Sequence, residues 1–314
     1  MRRCLYCYQE LDSLEGDYHA KCNKAFFGSN EAPILPYRLE DMAKLAKEAI
    51  EQSVTVPGVQ PKLSLGYIQS ELGKGHSGRL TILDALEGNY ILKPQNPDYE
   101  QMPENEHVSM KLAELFKIDC VPSNMIHLVS GELCYITKRI DRPAPNTKIH
   151  MIDFLQILEL EDKYKGTMER VGKAVGEYSV NTLLDKVRFF ELALFNFIIG
   201  NNDMHLKNFS MFLSDIGWTL SPAYDLLNVK MILPKDEEDT ALFLGGKKSN
   251  FNKMYFDRFG AILGLNEKQI RSVYKRLEKW LPKAVRLIEI SFLNEEKKAT
   301  YSNLITARTG LLLS

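Results

Sequence analysis

Residues 200–208 hold the side chains best suited to chemistry, because Asp203 and Asn208 lie five positions apart directly after an apolar stretch. Phosphoryl transfer needs a carboxylate that orients the attacking hydroxyl, and hard oxygen ligands for Mg²⁺. Asp225 follows seventeen residues after Asn208, behind two strand-like runs, and is expected to be a second metal ligand. Asp and Asn also cap turns, but the apolar helix before them makes the combination more specific. His205, between them, is either structural or a contact of the reacting groups.

Lys93 ends the apolar run 90–93 and would be costly to bury without an anionic partner. Phosphates of a nucleotide and a helix Glu are suitable partners. Glu104 and Glu106 both lie at the start of the next predicted helix, and helical spacing does not decide between them. The alternative is that Lys93 extends its ammonium group to solvent.

Two further segments are candidates for nucleotide binding. Residues 57–62 precede a predicted strand, and there Gly58 would let backbone N–H groups approach phosphates while Lys62 adds charge. With one Gly and two Pro, this is a poor phosphate loop by itself, and an ordinary turn is the alternative. Residues 137–142 end the strand-rich region, where the backbone of a hinge could hydrogen-bond adenine, although their charges also suit an ordinary surface.

These candidates fall in two regions of different pattern. Residues 53–140 contain short strand-like runs and one helical stretch near 104–117, and Ser130-Gly131 marks a hairpin. Residues 151–314 are mostly helical.

The helical region holds two notable helices. Residues 181–199 are strongly apolar and are expected to be buried. Asn266 is expected to cap a later helix with Gln269 three residues on, and Pro282 is expected to break or restart that helix.

A Cys/His-rich segment precedes both regions. Cys4 and Cys7 form a C-x₂-C pair, and His19 and Cys22 follow as H-x₂-C. Four such ligands could close a tetrahedral Zn²⁺ site that stabilises a segment too small to fold alone. Four protein ligands leave no open position, so this zinc would be structural; the alternative is that the cysteines are simply buried.

Composition narrows the class of protein. The chain has 314 residues, 45% hydrophobic and 26% charged, with a formal net charge of −1. These are ordinary globular values, and without a long basic run we expect no direct nucleic-acid binding. No secretory signal or membrane span is visible. Five unevenly placed cysteines do not form a disulfide framework, so a reducing cytoplasm is the expected location.

Taken in order, these motifs resemble the HipA family of bacterial kinases, including its shorter HipT-type members. The resemblance covers about residues 50–290 and rests on residues 53–64, 91–94, 104–106, 138–142, 203–208 and 224–225. It implies an α+β, two-lobed fold similar to protein kinases, preceded by the Cys/His segment. The implied domains are 1–30, a β-rich ATP-binding lobe at 31–141 and a helical catalytic lobe at 142–314.

The resemblance also implies roles for individual residues, with ATP and Mg²⁺ as cofactors. Asp203 becomes the catalytic Asp, Asn208 and Asp225 the Mg²⁺ ligands, and Lys93 the phosphate-contacting Lys. The implied ATP-binding set is Pro57, Gly58, Val59, Gln60, Pro61, Lys62, Lys93, Glu106, Lys138, Arg139, Ile140, His205, Asn208, Tyr224 and Asp225.

Family members typically phosphorylate Ser or Thr of proteins such as translation factors and aminoacyl-tRNA synthetases, act as toxins and pair with a small helix-turn-helix antitoxin. Autophosphorylation is expected at Thr55, with Ser53 nearby and Pro57 where some members carry Ser. Lys138 and Ile140 also differ from the best-known members. The N-terminal subdomain of longer members has no counterpart here, and we expect a separate small protein to supply it. The alternative function is a catalytically silent module that binds a transcription regulator.

Overall fold

The computed structural model describes residues 2–13, 15–42, 44–45, 62–68, 78–82, 88–144 and 147–314. Backbone contacts divide the chain into two compact units. Unit 1 contains residues 1–107 and 121–148, and unit 2 contains residues 108–120 and 149–314. The Cys/His segment groups with the strand-rich part, and the boundaries expected at 30/31 and 141/142 stay predictions.

Unit 1 is built on a five-stranded antiparallel sheet with strand order β2-β1-β3-β5-β4. Its strands are β1 (Leu63–Ile68), β2 (Arg79–Ile82), β3 (Tyr90–Lys93), β4 (Ser123–His127) and β5 (Leu133–Lys138). Gly131, with φ of 102°, makes the tight turn between β4 and β5 that the Ser-Gly pair predicts. The unit also contains helix α1 (Ala20–Phe27) and the first half of helix α2 (Met102–Phe116).

Unit 2 is mostly helical. Besides the remainder of α2 from residue 108 on, its helices are α3 (Phe154–Ile157), α4 (Met168–Tyr178), α5 (Thr182–Ile199), α6 (Lys253–Ile262), α7 (Glu267–Glu289) and α8 (Glu295–Leu313). A small antiparallel sheet, in the order β6-β7-β8, is formed by β6 (Met151–Asp153), β7 (Ser210–Ser214) and β8 (Gly217–Leu220). A short 3₁₀ turn, Leu206–Asn208, directly precedes β7.

Helix α5 is the centre of the unit 2 core. Every residue from 189 to 199 is buried, as the apolar sequence predicts. Phe195 contacts the rings of Phe116 and Trp280 at centroid distances of 5.8 and 5.9 Å. Aromatic burial of this kind contributes about 1.5–3 kcal/mol for each side chain. The loop that carries Asp203 therefore starts from a rigid support.

Helix α7 corrects one expectation. Asn266 and Gln269 form the predicted capping box, but Pro282 lies inside a helix that runs without interruption from Glu267 to Glu289. The missing N–H of Pro282 costs one backbone hydrogen bond, and the buried face on both sides, including Trp280 and Ala284, keeps the helix continuous. Among the described residues, no helix is long and apolar enough to cross a bilayer.

Candidate active site

Unit 1 contains a buried ion pair between the end of β3 and helix α2. The Lys93 Nζ atom lies 2.6 Å from Glu106 Oε1, and the two side chains are 4% and 1% exposed. The ammonium group also lies 5.5 Å from the ring centroid of Tyr135, the β5 neighbour of Lys93. Glu104 instead accepts hydrogen bonds from Gln95 Nε2 at 3.0 and 3.1 Å. Lys93 is thus paired with Glu106 and does not extend to solvent.

A buried ion pair needs a reason beyond stability. Removing two charges from water costs several kcal/mol for each ion, and their attraction often does no more than offset this cost. Groups held in this way are frequent at functional sites, where a fixed charge is needed. The Lys93–Glu106 pair is therefore a candidate for anion binding in unit 1.

In unit 2, the loop after α5 has a conformation fixed by the residues around it. Gly200 ends α5 with φ of 75°, a conformation that glycine adopts without strain. Asn201 Nδ2 donates to Asn196 Oδ1 at 2.7 Å. Asn201 Oδ1 accepts from the backbone N–H of Asp203 at 3.3 Å. One side chain therefore ties the start of the loop to the buried helix and orients Asp203.

The structure brings Asp203 and Asn208 together across the 3₁₀ turn. Asn208 Nδ2 donates to the main-chain oxygen of Asp203 at 3.1 Å. Because a carbonyl oxygen only accepts hydrogen bonds, this contact assigns the nitrogen of the Asn208 amide. Its oxygen, Oδ1, is left as a hard ligand of the kind that Mg²⁺ prefers.

Tyr164 is a site residue that the sequence did not reveal. Its hydroxyl donates to Asp203 Oδ1 at 2.8 Å. Burial, together with the hydrogen bond to Asp203 and its charge, raises the pKa of Tyr164 well above its usual value, so the phenol stays a donor. Tyr164 lies in a polar stretch 39 residues before Asp203, and no periodicity or motif connects the two.

His205 lies beside both carboxylates of the predicted site. Burial lowers its pKa below 6.5, Lys163 lowers it further, and the charges of Asp203 and Asp225 oppose the shift. The ring is 6% exposed and meets Tyr164 edge to face at a centroid distance of 5.2 Å. Its Nδ1 atom is buried and has no hydrogen-bond partner among the described residues. An imidazole near two carboxylates is thereby kept neutral at pH 7.

Asp225 lies in a strained backbone conformation next to Tyr224. Its φ of 60° is in the left-handed region, which few residues other than Gly occupy. Such outliers concentrate at functional sites. The Tyr224 hydroxyl donates to the main-chain oxygen of Lys207 at 3.1 Å and lies 2.6 Å from Ser210 Oγ. Tyr224 therefore connects the Asp225 segment to the end of the Asp203 loop.

The predicted ATP loop lies almost entirely outside the described residues. Ser53, Thr55 and residues 57–61 belong to the part of the chain for which no placement is given. Lys62 is described and lies exposed immediately before β1. The loop and its autophosphorylation site stay predictions.

The predicted hinge, residues 138–140, begins at Lys138, the last residue of β5. The backbone N–H of Lys138 donates to the Pro122 oxygen at 3.0 Å, and that of Arg139 donates to the Asn89 oxygen at 2.8 Å. Burial lowers the pKa of Lys138. These two N–H groups are already bonded within unit 1, so an adenine base would have to use other backbone atoms of the segment.

The four Cys/His residues of the N-terminal segment form one cluster. The ligand atoms of Cys4, Cys7, His19 and Cys22 all lie within 4.8 Å of one another. His19 Nδ1 is 3.4 Å from Cys7 Sγ and 3.7 Å from Cys22 Sγ. The other ring nitrogen, Nε2, is 2.9 Å from the Glu10 carbonyl oxygen. Burial, with the nearby sulfurs of Cys4 and Cys7, raises the pKa of Cys22 to about 12.

The architecture places the protein among the mixed helix-and-sheet folds of kinases. It is similar to a Shewanella oneidensis structure described as the toxin–antitoxin system HipA, HipB and operator DNA complex, with a TM-score of 0.66 and 21% identity over 90% of this chain and 71% of the other. It also matches the Helicobacter pylori proinflammatory kinase CtkA, with a TM-score of 0.56 and 14% identity over 80% of this chain and 94% of that one. The predicted α+β, kinase-like fold class is confirmed.

Sequence comparison then gives the family. Residues 54–285 match the model of the HipA-like C-terminal domain, and the chain belongs to this family of HipA-like kinases, as its motifs predict. A Haemophilus influenzae protein named "Putative kinase" is 26% identical over 309 residues, which cover 87% of this chain and 82% of that protein. The Shewanella oneidensis serine/threonine-protein kinase toxin HipA is 26% identical over 255 residues, 74% of this chain and 56% of the toxin. The chain thus spans little more than half of that toxin.

One expectation gains no support from these relatives. We expected no direct contact with nucleic acid, whereas the Shewanella structure is described as a complex with operator DNA.

Proposed function

We propose that this protein is an ATP-dependent serine/threonine protein kinase that uses Mg²⁺. The observation that carries the proposal is the arrangement in unit 2. There, Asp203 and Asn208 are joined by a hydrogen bond, and the charges of Asp203 and Asp225 both act on the buried imidazole of His205. Two carboxylates and one amide near a neutral imidazole form a donor set that suits phosphoryl transfer.

Asp203 is the residue that would orient the attacking hydroxyl and accept its proton. Its Oδ1 atom accepts the Tyr164 hydroxyl, which holds the carboxylate in one rotamer and leaves Oδ2 for the substrate. Asn208 Oδ1 and the Asp225 carboxylate would hold Mg²⁺. When bound, this ion neutralises the charge that develops on the transferred phosphoryl group.

The nucleotide would be held by groups of several segments. Lys93 would contact phosphates with its ammonium group, which the hydrogen bond to Glu106 holds in one position. The remaining proposed contacts are residues 57–62, Lys138, Arg139, Ile140, His205 and Tyr224.

For the biological role we propose a toxin that is neutralised by a small helix-turn-helix partner. The support is the similarity to a protein named as a kinase toxin and to a structure described with both HipB and operator DNA. A translation factor or an aminoacyl-tRNA synthetase is the proposed class of substrate. In an assembly of that kind this chain would lie close to DNA through its partner.

The test is transfer of labelled γ-phosphate from Mg²⁺-ATP to the protein itself and to a proteome extract. We expect Asp203→Ala, Asn208→Ala and Asp225→Ala each to reduce transfer by at least 10³-fold, by analogy with the loss of other catalytic groups. Asp215→Ala is the matched control, because this exposed residue lies on the β7–β8 turn of the same unit.

Mass spectrometry of the labelled protein would locate the modified hydroxyl, which we expect at Thr55 or Ser53. Tight Mg²⁺-ATP binding without any transfer would favour the alternative, a silent module that captures a transcription regulator. Equal transfer in the wild type and the Asp203 variant would remove the assignment of the site.

A further inference from the structure

The Cys/His cluster has the geometry of a closed zinc site. With Zn–S bonds of about 2.3 Å and Zn–N bonds of about 2.0 Å, neighbouring ligands of a tetrahedral site lie about 3.5–3.8 Å apart. His19 Nδ1 lies 3.4 Å from Cys7 Sγ and 3.7 Å from Cys22 Sγ, and the ligand atom of Cys4 lies within the same 4.8 Å group. Three thiols and one imidazole are also the donor types that zinc prefers.

The contact made by the second ring nitrogen of His19 is the one expected of a zinc-bound histidine. His19 Nε2 lies 2.9 Å from the main-chain oxygen of Glu10, which can only accept, so the proton of a neutral ring is on Nε2. Nδ1 then presents its lone pair to the sulfurs. Metal-bound histidines usually donate their second N–H to a carbonyl or carboxylate in this way.

A bound metal would stabilise the segment that carries the cluster. Segments below about 40 residues seldom hold their shape without a disulfide, a metal or a partner. Cys4, Cys7 and Cys22 are all thiols here. Among the residues described between 2 and 28, the single helix is α1, of eight residues.

The segment that carries the cluster contacts the helix that carries Glu106. Tyr8 is fully buried, and its hydroxyl lies 2.8 Å from His107 Nδ1. The two rings also meet edge to face at a centroid distance of 5.2 Å. His107 directly follows Glu106 and is itself fully buried. Tyr8 comes one residue after the ligand Cys7, so the cluster and the helix are joined by a very short chain.

The same segment packs against the sheet of unit 1. The rings of Phe26 and Phe27, four and five residues after the ligand Cys22, contact the ring of Tyr90 in β3 at 5.9 and 6.5 Å. The Tyr18 hydroxyl donates to the main-chain oxygen of Met125 in β4. Residues next to the cluster in sequence therefore reach both the strand bearing Lys93 and the helix bearing Glu106.

We infer that residues 2–28 form a zinc-bound clamp that holds the Glu106 helix against the sheet of unit 1. In this view the metal does no chemistry. It fixes the turn that presents Tyr8 to His107, and this contact keeps Glu106 within reach of Lys93. The zinc site and the clamp contacts lie within unit 1 and do not depend on the proposed kinase function. Only the role of the Lys93–Glu106 pair in binding phosphates rests on that function.

The first test is metal analysis of the full-length protein by mass spectrometry. We expect about one Zn²⁺ per chain, lost in Cys7→Ser and Cys22→Ser. Cys120→Ser is the matched control, because Cys120 is a thiol outside the cluster. Less than about 0.1 Zn²⁺ per chain, or full retention in both ligand variants, would overturn the inference.

The second test uses hydrogen exchange of peptides that cover residues 102–107. Tyr8→Phe keeps all four ligands and removes only the hydroxyl that meets His107. We expect it to retain one Zn²⁺ per chain and to raise exchange in this stretch at least fivefold. Removing zinc from the wild type with a chelator should have the same effect, which keeps the test valid if a cysteine variant fails to fold. Unchanged exchange after both treatments would overturn the clamp. Neither readout involves phosphate transfer, so a failed clamp and a failed kinase assignment are distinguishable.

Discussion

The Lys93–Glu106 pair gives the sharpest energetic prediction. Both side chains are almost fully buried, with exposures of 4% and 1% and a 2.6 Å contact. Removing one partner leaves the other as a buried charge, which costs about 3–5 kcal/mol. Replacing both by groups of similar size removes both charges and is often neutral or stabilising. Lys93→Met and Glu106→Gln should therefore each destabilise unit 1 strongly, whereas the double variant should recover most of the loss.

Differential scanning calorimetry would measure this cycle. At roughly 3–4 °C per kcal/mol, each single variant should lower the Tm of unit 1 by about 10–20 °C. The double variant should lie within about 5 °C of the wild type. Arg271→Met is the control, because its pair with Glu267 is 71% and 94% exposed and such pairs contribute little. Additive losses in the double variant would refute the reasoning.

Three further predictions concern unit 2. Tyr164→Phe removes the hydrogen bond to Asp203, and we expect kcat to fall about 10-fold with KM nearly unchanged; an unchanged kcat would exclude the positioning role. Gly200→Ala places a Cβ 2.7 Å from a side-chain carbon at φ of 75° and should cost more than about 1 kcal/mol in urea unfolding. The control is Gly310→Ala in α8, where the added Cβ meets no described atom within 4 Å beyond the adjoining helix backbone; this variant should stabilise by about 0.5–1 kcal/mol. Burial raises the pKa of Glu191 above 4.5 despite its partly offsetting Arg partner, so the folded state binds the proton more tightly than the unfolded state. The stability of the wild type relative to Glu191→Gln should therefore rise as the pH falls from 7 towards 4.5, and an opposite slope in pH-dependent unfolding would contradict the direction of this shift.

The sequence predicted those features that depend on short-range patterns. The apolar periodicity before Gly200 located the buried helix, and the Asp203–Asn208 spacing located the loop that the structure ties together by a hydrogen bond. The capping residues of α7 followed from local chemistry. Pro282 did not end that helix, because packing on both sides outweighs the single lost hydrogen bond.

Features that depend on tertiary contacts were beyond the reach of sequence patterns. The choice of Glu106 over Glu104 depends on which helix face meets β3, and both faces are buried. Tyr164 reaches Asp203 across 39 residues. The contact between Tyr8 and His107 spans 99 residues. None of these three contacts produces a periodic pattern in the sequence. In each case the local structure of either residue's segment does not depend on its distant partner.

The most direct test of the central claim is calorimetric titration of ATP into the protein with and without Mg²⁺. We predict that Mg²⁺ tightens ATP binding at least tenfold in the wild type, and that Asp225→Asn removes most of this dependence on Mg²⁺ while leaving metal-free ATP binding intact. Equal Mg²⁺ dependence in the wild type and the variant would contradict the claim that Asp225 and Asn208 hold the metal of a phosphotransfer site.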